Sequence, residues 1–194
     1  MRIVGILLAA GKGERFGGDK LLIPLPGGPE RGTPVGVLAA RRMLLALPET
    51  LAIVRPDDAA LALAFGREGL RVVICPNAGE GMGASLACGV TAARDAGAWI
   101  VGLADMPWIA PATITTVAGR LRTGASLVAP TFRGQRGHPV GFAARHGAAL
   151  RALRGDAGAR ELIASHAETI TLVDVADAGI LRDVDVPADL HADQ

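Results

Sequence analysis

Short, unbroken apolar runs alternate along this chain with stretches whose apolar positions return every third or fourth residue. The runs predict strands at residues 3–9, 51–55, 71–75, 99–104, 126–129, 139–142 and 169–175. The periodic stretches predict helices at 35–46, 57–68, 84–96, 111–122, 144–153 and 157–166. A strand that is apolar at every position has both faces buried, and such strands separated by helices build a parallel sheet covered on both sides. The expected fold class is therefore α/β: three layers, with a mostly parallel sheet and helices on both faces. Neither an internal repeat nor a low-complexity linker interrupts the pattern, so residues 1–194 read as a single domain. Asp57 and Asp58 stand where an N-cap and a first-turn carboxylate belong, and Pro111 suits the first turn of its helix. The Gly- and Arg-rich segment 131–141 reads as a hairpin-like excursion over one end of the sheet.

Composition narrows the function classes. The 194 residues are 50% hydrophobic and 20% charged, with a formal net charge of +1, and the mean hydropathy is +0.36. A chain of this length buries roughly 70% of its unfolded surface, which excludes disorder as the dominant state. Near-neutral charge, 3% aromatic residues and no Tyr argue against a nucleic-acid partner. Cys75 and Cys88 form neither a disulfide framework nor a Cys-x-x-Cys motif, so they read as core residues of a cytoplasmic protein. The apolar run at 3–10 is short and leads into a charged glycine loop, and no apolar run reaches spanning length, so no membrane association is expected. His146, His166 and His191 read as surface residues. One count is unusual: the 20 basic residues include only two lysines, Lys12 and Lys20, both within the first 20 positions. That placement fits a need for a compact ammonium where Arg's planar fork will not serve.

Ligands of an open parallel sheet sit at the carboxyl ends of its strands, so the residues just after each strand carry the chemistry. After the first strand comes Gly11-Lys12-Gly13-Glu14-Arg15-Phe16-Gly17-Gly18-Asp19-Lys20. Gly11 and Gly13 free the backbone to turn its N–H groups toward an anion, and Lys12, Arg15 and Lys20 add positive charge, which is the chemistry of a polyphosphate cradle. The loop lacks the Gly-Lys-Ser/Thr ending of a Walker A motif. It has Phe16 where a Rossmann fingerprint needs its third Gly, and it runs into prolines instead of a helix. The kinase motifs are also missing. Asp105, closing the fourth major strand, is costly there unless paired or bound to a metal. Beside a triphosphate it suits Mg²⁺, which binds through one or two carboxylates plus phosphates. Gly81-Met82-Gly83-Ala84-Ser85 opens a helix pattern, where Ser85 either meets a ligand or caps its own helix. Asp156 reads as an N-cap or a ligand contact, and His138 has no partner at metal-ligand spacing.

The first loop, Leu-Ala-Ala-Gly-x-Gly-x-Arg-Phe-Gly-x(2)-Lys-Leu-Leu, resembles the signature of nucleotidyltransferases with the MobA-like fold. Further runs in the same order extend the resemblance from Ile3 to Leu190: Gly-x-Gly-x-Ser-Leu, Leu-Ala-Asp-Met-Pro, Gly-x-x-Gly-His-Pro-Val, Gly-Asp-x-Gly-Ala-Arg and the closing Asp-Val-Asp-Val-Pro. The resemblance implies nucleotide binding by Leu8, Ala9, Ala10, Gly11, Gly13, Arg15, Lys20, Gly83, Ser85 and Asp105, with Arg15, Lys20 and Asp105 catalytic. It implies Mg²⁺ on Asp105 and Asp185, Asp183 being the alternative second ligand. It places the acceptor against Arg136, Gly137, His138, Pro139, Asp156 and Arg160, with Arg133 nearby. Ala10, the Gly-His-Pro run and the Gly-Asp-x-Gly-Ala-Arg run resemble the molybdenum cofactor cytidylyltransferases, and the methyl of Ala10 would narrow the base pocket toward a pyrimidine. The implied partners are CTP, a molybdopterin-type phosphate acceptor and a molybdoenzyme that receives the product. The Gly17-Gly18-Asp19 spacing resembles the guanylyl branch, and the 24–33 Pro/Gly insertion departs from both. GMP transfer, a sugar- or alditol-phosphate acceptor, a non-catalytic molybdopterin carrier and a Rossmann oxidoreductase are the alternatives.

Overall fold

Every residue of β1 (Ile3–Leu8) is buried, and the strand alternates between two apolar layers. Ile3 and Leu7 join one layer; Val4, Ile6 and Leu8 join the other. That two-sided burial is the reason the run shows no polar alternation. Gly5 holds the narrowest point, since a Cβ there would collide with the Thr50 hydroxyl and come within 3.0 Å of Met43. The computed structural model describes residues 1–11, 13, 16, 18–156 and 158–191.

Around β1 lie β2 (Thr50–Val54), β3 (Arg71–Ile74), β4 (Ala98–Leu103), β5 (Leu127–Phe132), β6 (Gln135–Arg136), β7 (Val140–Ala143) and β8 (Thr171–Asp174). They form an 8-stranded sheet of order β3-β2-β1-β4-β7-β5-β6, with β8 paired to β5. β1 to β4, β5 and β8 run one way; β6 and β7 run against them. The reversal follows from loop length, because the short β5–β6–β7 connections permit antiparallel neighbours only, whereas parallel ones need a long crossover. The expected excursion is this hairpin, turning at Arg133 (φ 51°) and Gly134 (φ 77°).

α1 (Val35–Ala46), α2 (Ala59–Arg67) and α4 (Pro111–Arg122) cover one face, and α3 (Met82–Ala92), α5 (Gly147–Ala152) and α6 (Arg160–Ala164) the other. Asp58 caps α2 through Leu61 N at 3.3 Å, and Pro111 stands in the first turn of α4. The insertion at 24–33 is a tight excursion in which Leu25 N and Gly32 N bond Thr33 O and Leu25 O, each at 2.9 Å, before the chain enters α1. Among the described residues no helix is long and apolar enough to cross a membrane.

Five expectations change. The fifth strand runs on to Phe132, and the last two helices shrink to α5 and α6. α6 takes Ala159 as its N-cap, which frees Asp156 from that role. Cys75 is buried as expected, but Cys88 is only half-buried. His146 is buried, 5% exposed, where a surface residue was expected. Its Nε2 lies 2.8 Å from Ser126 Oγ, and its ring packs edge-on against His166 at 4.9 Å. A satisfied polar edge is what permits an imidazole in the core.

Asp177 ties the end of the chain to α4. Its Oδ2 accepts from Ala110 N at 2.8 Å and Thr113 Oγ1 at 2.6 Å, while Oδ1 accepts from Gly179 N at 3.0 Å. This remote carboxylate supplies the capping that Ala110 lacks. Asp177→Ala should lower stability by about 2 kcal/mol in urea denaturation, the loss expected for a cap with charge-assisted bonds.

Candidate active site

Three chain segments meet at the carboxyl edge of the sheet. The loop after β1 brings Lys20, the end of β4 brings Asp105, and the segment after a short 3-10 turn at Ala178–Leu181 brings Asp185. Lys20 Nζ donates to Asp105 Oδ2 at 2.8 Å and Asp185 Oδ1 at 3.3 Å. Burial by itself lowers the ammonium's pKa, but the bonds and charges of Asp105 and Asp185 outweigh it and hold Lys20 above the usual lysine value. Neighbouring Asp183 is pushed above the ordinary carboxyl range by burial and then by the Asp185 charge. Asp105 Oδ1 is buried with no hydrogen-bond partner among the described residues.

Backbone contacts set these positions. Gly13 (φ 61°) turns so tightly that a Cβ would meet Gly18 O at 2.7 Å, and Lys20 N donates to that same carbonyl at 2.7 Å. Val184 N bonds Asp105 O at 2.8 Å, which fixes the segment carrying Asp185 beside β4. Asp189 Oδ2 accepts from Asp185 N and Val186 N, both at 2.7 Å. The Ala178–Leu181 turn is wedged between two strand ends. A Cβ on Gly137 would strike Ile180 O, and one on Gly179 would strike Trp108 O.

Two cavities open at this edge. The larger, about 390 Å³, is lined by residues that include Leu8, Ala10, Gly11, Ser85, Asp105 and Asp156. The smaller, about 290 Å³, has Arg136, Gly137, His138, Asp156 and Arg160 on an apolar wall that includes Leu86, Phe142 and Ile163. Leu8, Met82, Leu103 and Asp156 border both. Both volumes are of the order of small-molecule sites. His138 is joined to Pro139 by a cis peptide bond, and its Nδ1 is sealed from solvent with no partner among the described residues.

Most sequence-predicted residues converge here, with exceptions. Ala9 turns into the core and lines neither cavity. Gly83 gives its N–H to Gly155 O at 2.7 Å, and a Cβ there would meet Arg154 O at 2.7 Å. It therefore docks α3 against the Gly155-Asp156 turn and offers no N–H to a nucleotide. Ser85 lies within α3 and bonds back to Gly81 O at 3.3 Å, so it is not an N-cap. Pro139 faces a small internal void beside Leu7 and Met43. Arg15 and Lys12 lie outside the described residues. Sequence reasoning missed Ala78 and Gly79 on the larger cavity and Arg55 beside the Lys20 loop. All three follow strands at the carboxyl edge, so the rule that selected Asp105 would have found them.

The residues fit a divalent cation. Two carboxylates converge on one positive charge, and Asp105 Oδ1 holds an unused lone pair inside the protein. Oxygen donors of this kind suit a hard metal. Among the described residues no cluster of three or more metal-ligating side chains occurs, so ligands beyond the carboxylates would come from substrate and water.

The sequence profile of the MobA-like NTP transferase domain matches residues 5–170. Nicotine blue oxidoreductase from Paenarthrobacter nicotinovorans is 30% identical over 199 residues, covering 97% of this chain and 95% of that one. A 2-C-methyl-D-erythritol 4-phosphate cytidylyltransferase from Cereibacter sphaeroides is 33% identical over 157 residues, 76% of this chain and 68% of that one. The molybdenum cofactor guanylyltransferase of Rhodobacter capsulatus is 34% identical over 116 residues, 59% and 52% of the two chains. The crystal structure of Rv0371c from Mycobacterium tuberculosis matches with a TM-score of 0.82 at 26% identity, over 98% of this chain and 97% of that one. Rv0371c has also been crystallised with manganese.

Two histidines make the stability pH-dependent. Burial lowers the pKa of His138 against the opposing pull of Asp105 and the Val101 backbone. Burial, then His166 and Arg145, lower that of His146. Both imidazoles bind protons more weakly folded than unfolded, so stability is full above about pH 6.5 and falls as the pH drops below that value. The urea midpoint should decline from pH 7.5 to pH 5, and less steeply in His146→Gln, which keeps a polar partner for Ser126 but cannot titrate.

Proposed function

This chain belongs to the MobA-like NTP transferase family, and we propose that it transfers a cytidylyl group from CTP to the terminal phosphate of a molybdopterin-type acceptor, releasing pyrophosphate. The observation that carries this reading is the meeting of Lys20, Asp105 and Asp185 beside two cavities that share a wall. Such a pair suits a donor and an acceptor held side by side. Ala10 places a methyl group on the larger cavity, which favours a pyrimidine over a purine. The smaller cavity sets Arg136 and Arg160 around an apolar wall, a combination suited to a flat heterocycle bearing a phosphate. Similarity to a cytidylyltransferase and to a molybdenum cofactor guanylyltransferase supports the base and the acceptor respectively.

In this reading an acceptor phosphate oxygen, already ionised at neutral pH, forms a bond to the α-phosphorus. The bond from that phosphorus to the bridging oxygen breaks, and its electron pair leaves with pyrophosphate. No proton has to be removed, so the site needs no general base. Catalysis then rests on positioning and charge neutralisation. Lys20 supplies a fixed ammonium, and Asp105 and Asp185 would hold the divalent cation, Mg²⁺ in this reading. When bound, that cation neutralises phosphate charge. The similarity to nicotine blue oxidoreductase favours a second reading, in which the same cavities serve a redox reaction.

The deciding experiment measures pyrophosphate release with CTP, GTP, ATP or UTP, each with and without molybdopterin and Mg²⁺. CTP should be turned over fastest, and only with acceptor and metal present. Preference for GTP would move the reading to guanylyl transfer. Molybdopterin binding without pyrophosphate release would make the protein a carrier, and oxidation of a reduced nicotinamide cofactor instead would favour the redox reading. Lys20→Ala should lower turnover by about 10²-fold or more, a far larger loss than its effect on fold stability in urea denaturation, the effect of removing a donor aimed at transition-state charge. Asp105→Ala should abolish the metal-dependent activity while the protein stays folded.

A further inference from the structure

Arg55 stands at the end of β2, on the side of β1 opposite Asp105. Its side chain is 19% exposed, and its Nε is buried without a hydrogen-bond partner among the described residues. The carboxylates beside it stay at arm's length, Asp57 Oδ1 3.4 Å from Nε and Asp58 Oδ2 3.7 Å from Nη2. Asp58 is also engaged in capping α2. Arg41 shows what a satisfied guanidinium looks like in this protein, closing on Glu68 with bonds of 2.7 and 2.8 Å. Arg55 is therefore held in place by two loose ion pairs, and its Nε closes no hydrogen bond among the described residues.

Its surroundings identify what it would bind. Arg55 lines a cleft with Gly11, Gly18, Lys20 and Leu21. Gly11 borders both this cleft and the larger cavity, whereas the smaller cavity shares no lining residue with the cleft. The cleft thus adjoins the larger cavity at Gly11 and lies apart from the smaller one. In phosphoryl transfer the entering and leaving oxygens are roughly in line across phosphorus. With an acceptor in the smaller cavity, the leaving group emerges on the side of the cleft. A planar guanidinium fork matches the geometry of a phosphate better than the ammonium beside it.

We propose that Arg55 binds the pyrophosphate end of the nucleoside triphosphate and holds it as the bond to the α-phosphorus breaks. This rests on the nucleotidyl-transfer reading above. Lys20 and Arg55 then divide the work: Lys20 sits with the carboxylates near the reacting centre, and Arg55 takes the outer phosphates. Asp57 sets the strength of the grip by partly neutralising the guanidinium.

The test uses the full chain and inorganic pyrophosphate as the probe, measured by calorimetric titration and by product inhibition of CTP turnover. Arg55→Gln should weaken pyrophosphate binding and raise KM for CTP by roughly tenfold or more, with KM for the acceptor unchanged. Arg55→Lys should recover part of the loss. Asp57→Asn should tighten pyrophosphate binding, a change that a merely structural arginine would not produce. Should Arg55→Gln misfold, Arg55→Lys and Asp57→Asn decide the question by the same two readouts. A wild-type protein that turns over no nucleoside triphosphate overturns the transferase reading itself. Normal wild-type turnover combined with unchanged pyrophosphate affinity in the folded variants overturns the role of Arg55 alone.

Discussion

Lys20 reaches both Asp105 and Asp185, and those carboxylates come from positions 80 residues apart in the chain. Without a positive charge between them, two half-buried carboxylates would repel each other across a gap that water screens only in part. The ammonium makes the arrangement tenable in the folded protein. The same electrostatic demand makes the place receptive to a divalent cation. A compact point charge can contact two separate carboxylates in this way, whereas a guanidinium fork prefers to engage one of them with both prongs. That is a physical reason for a lysine here in a chain whose other basic residues are almost all arginine.

Much of the remaining architecture keeps that meeting point in register. The closing segment crosses over Asp105 through the bond from Val184 N, is anchored to α4 through Asp177, and is fixed again by Asp189. Glycines 137 and 179 let its 3-10 turn sit directly on neighbouring backbone. On the other side of the site, glycines 81 and 83 let the start of α3 touch the turn that carries Asp156. Several glycines within the sequence motifs are thus spacing devices between chain segments. Their role is close approach of backbone to backbone, which any side chain would prevent.

The fold was legible in the sequence because its signals are local. Continuously apolar runs gave the buried strands, and the loop after β1 announced anion chemistry through its glycines and cations. Rules of this kind succeed for β1, β2 and β4, which are buried almost throughout, while β3 forms in the expected place but is exposed at both ends as the sheet's edge. They were weaker past residue 140. There the helices are short, and α5 draws its stability from packing against α3 more than from an amphipathic repeat of its own. The buried His146 shows the same limit. Nothing in its neighbours along the chain marks it, and its place depends on Ser126, which is 20 residues away.

The sequence by itself determined the layered α/β architecture, the strand edge at which the motif residues gather and the family to which the chain belongs. Each depends on residue type and spacing within a few turns of chain, which sequence displays directly. The tertiary structure decided which of the motif residues face the cavities and which serve to join one segment to another. It turned Ala9 and Pro139 away from the two large cavities, gave the N–H of Gly83 to Gly155, and put Arg55 into the cleft beside Lys20. Those outcomes follow from contacts between residues remote in sequence, where a shift of one backbone hydrogen bond changes what a side chain can reach.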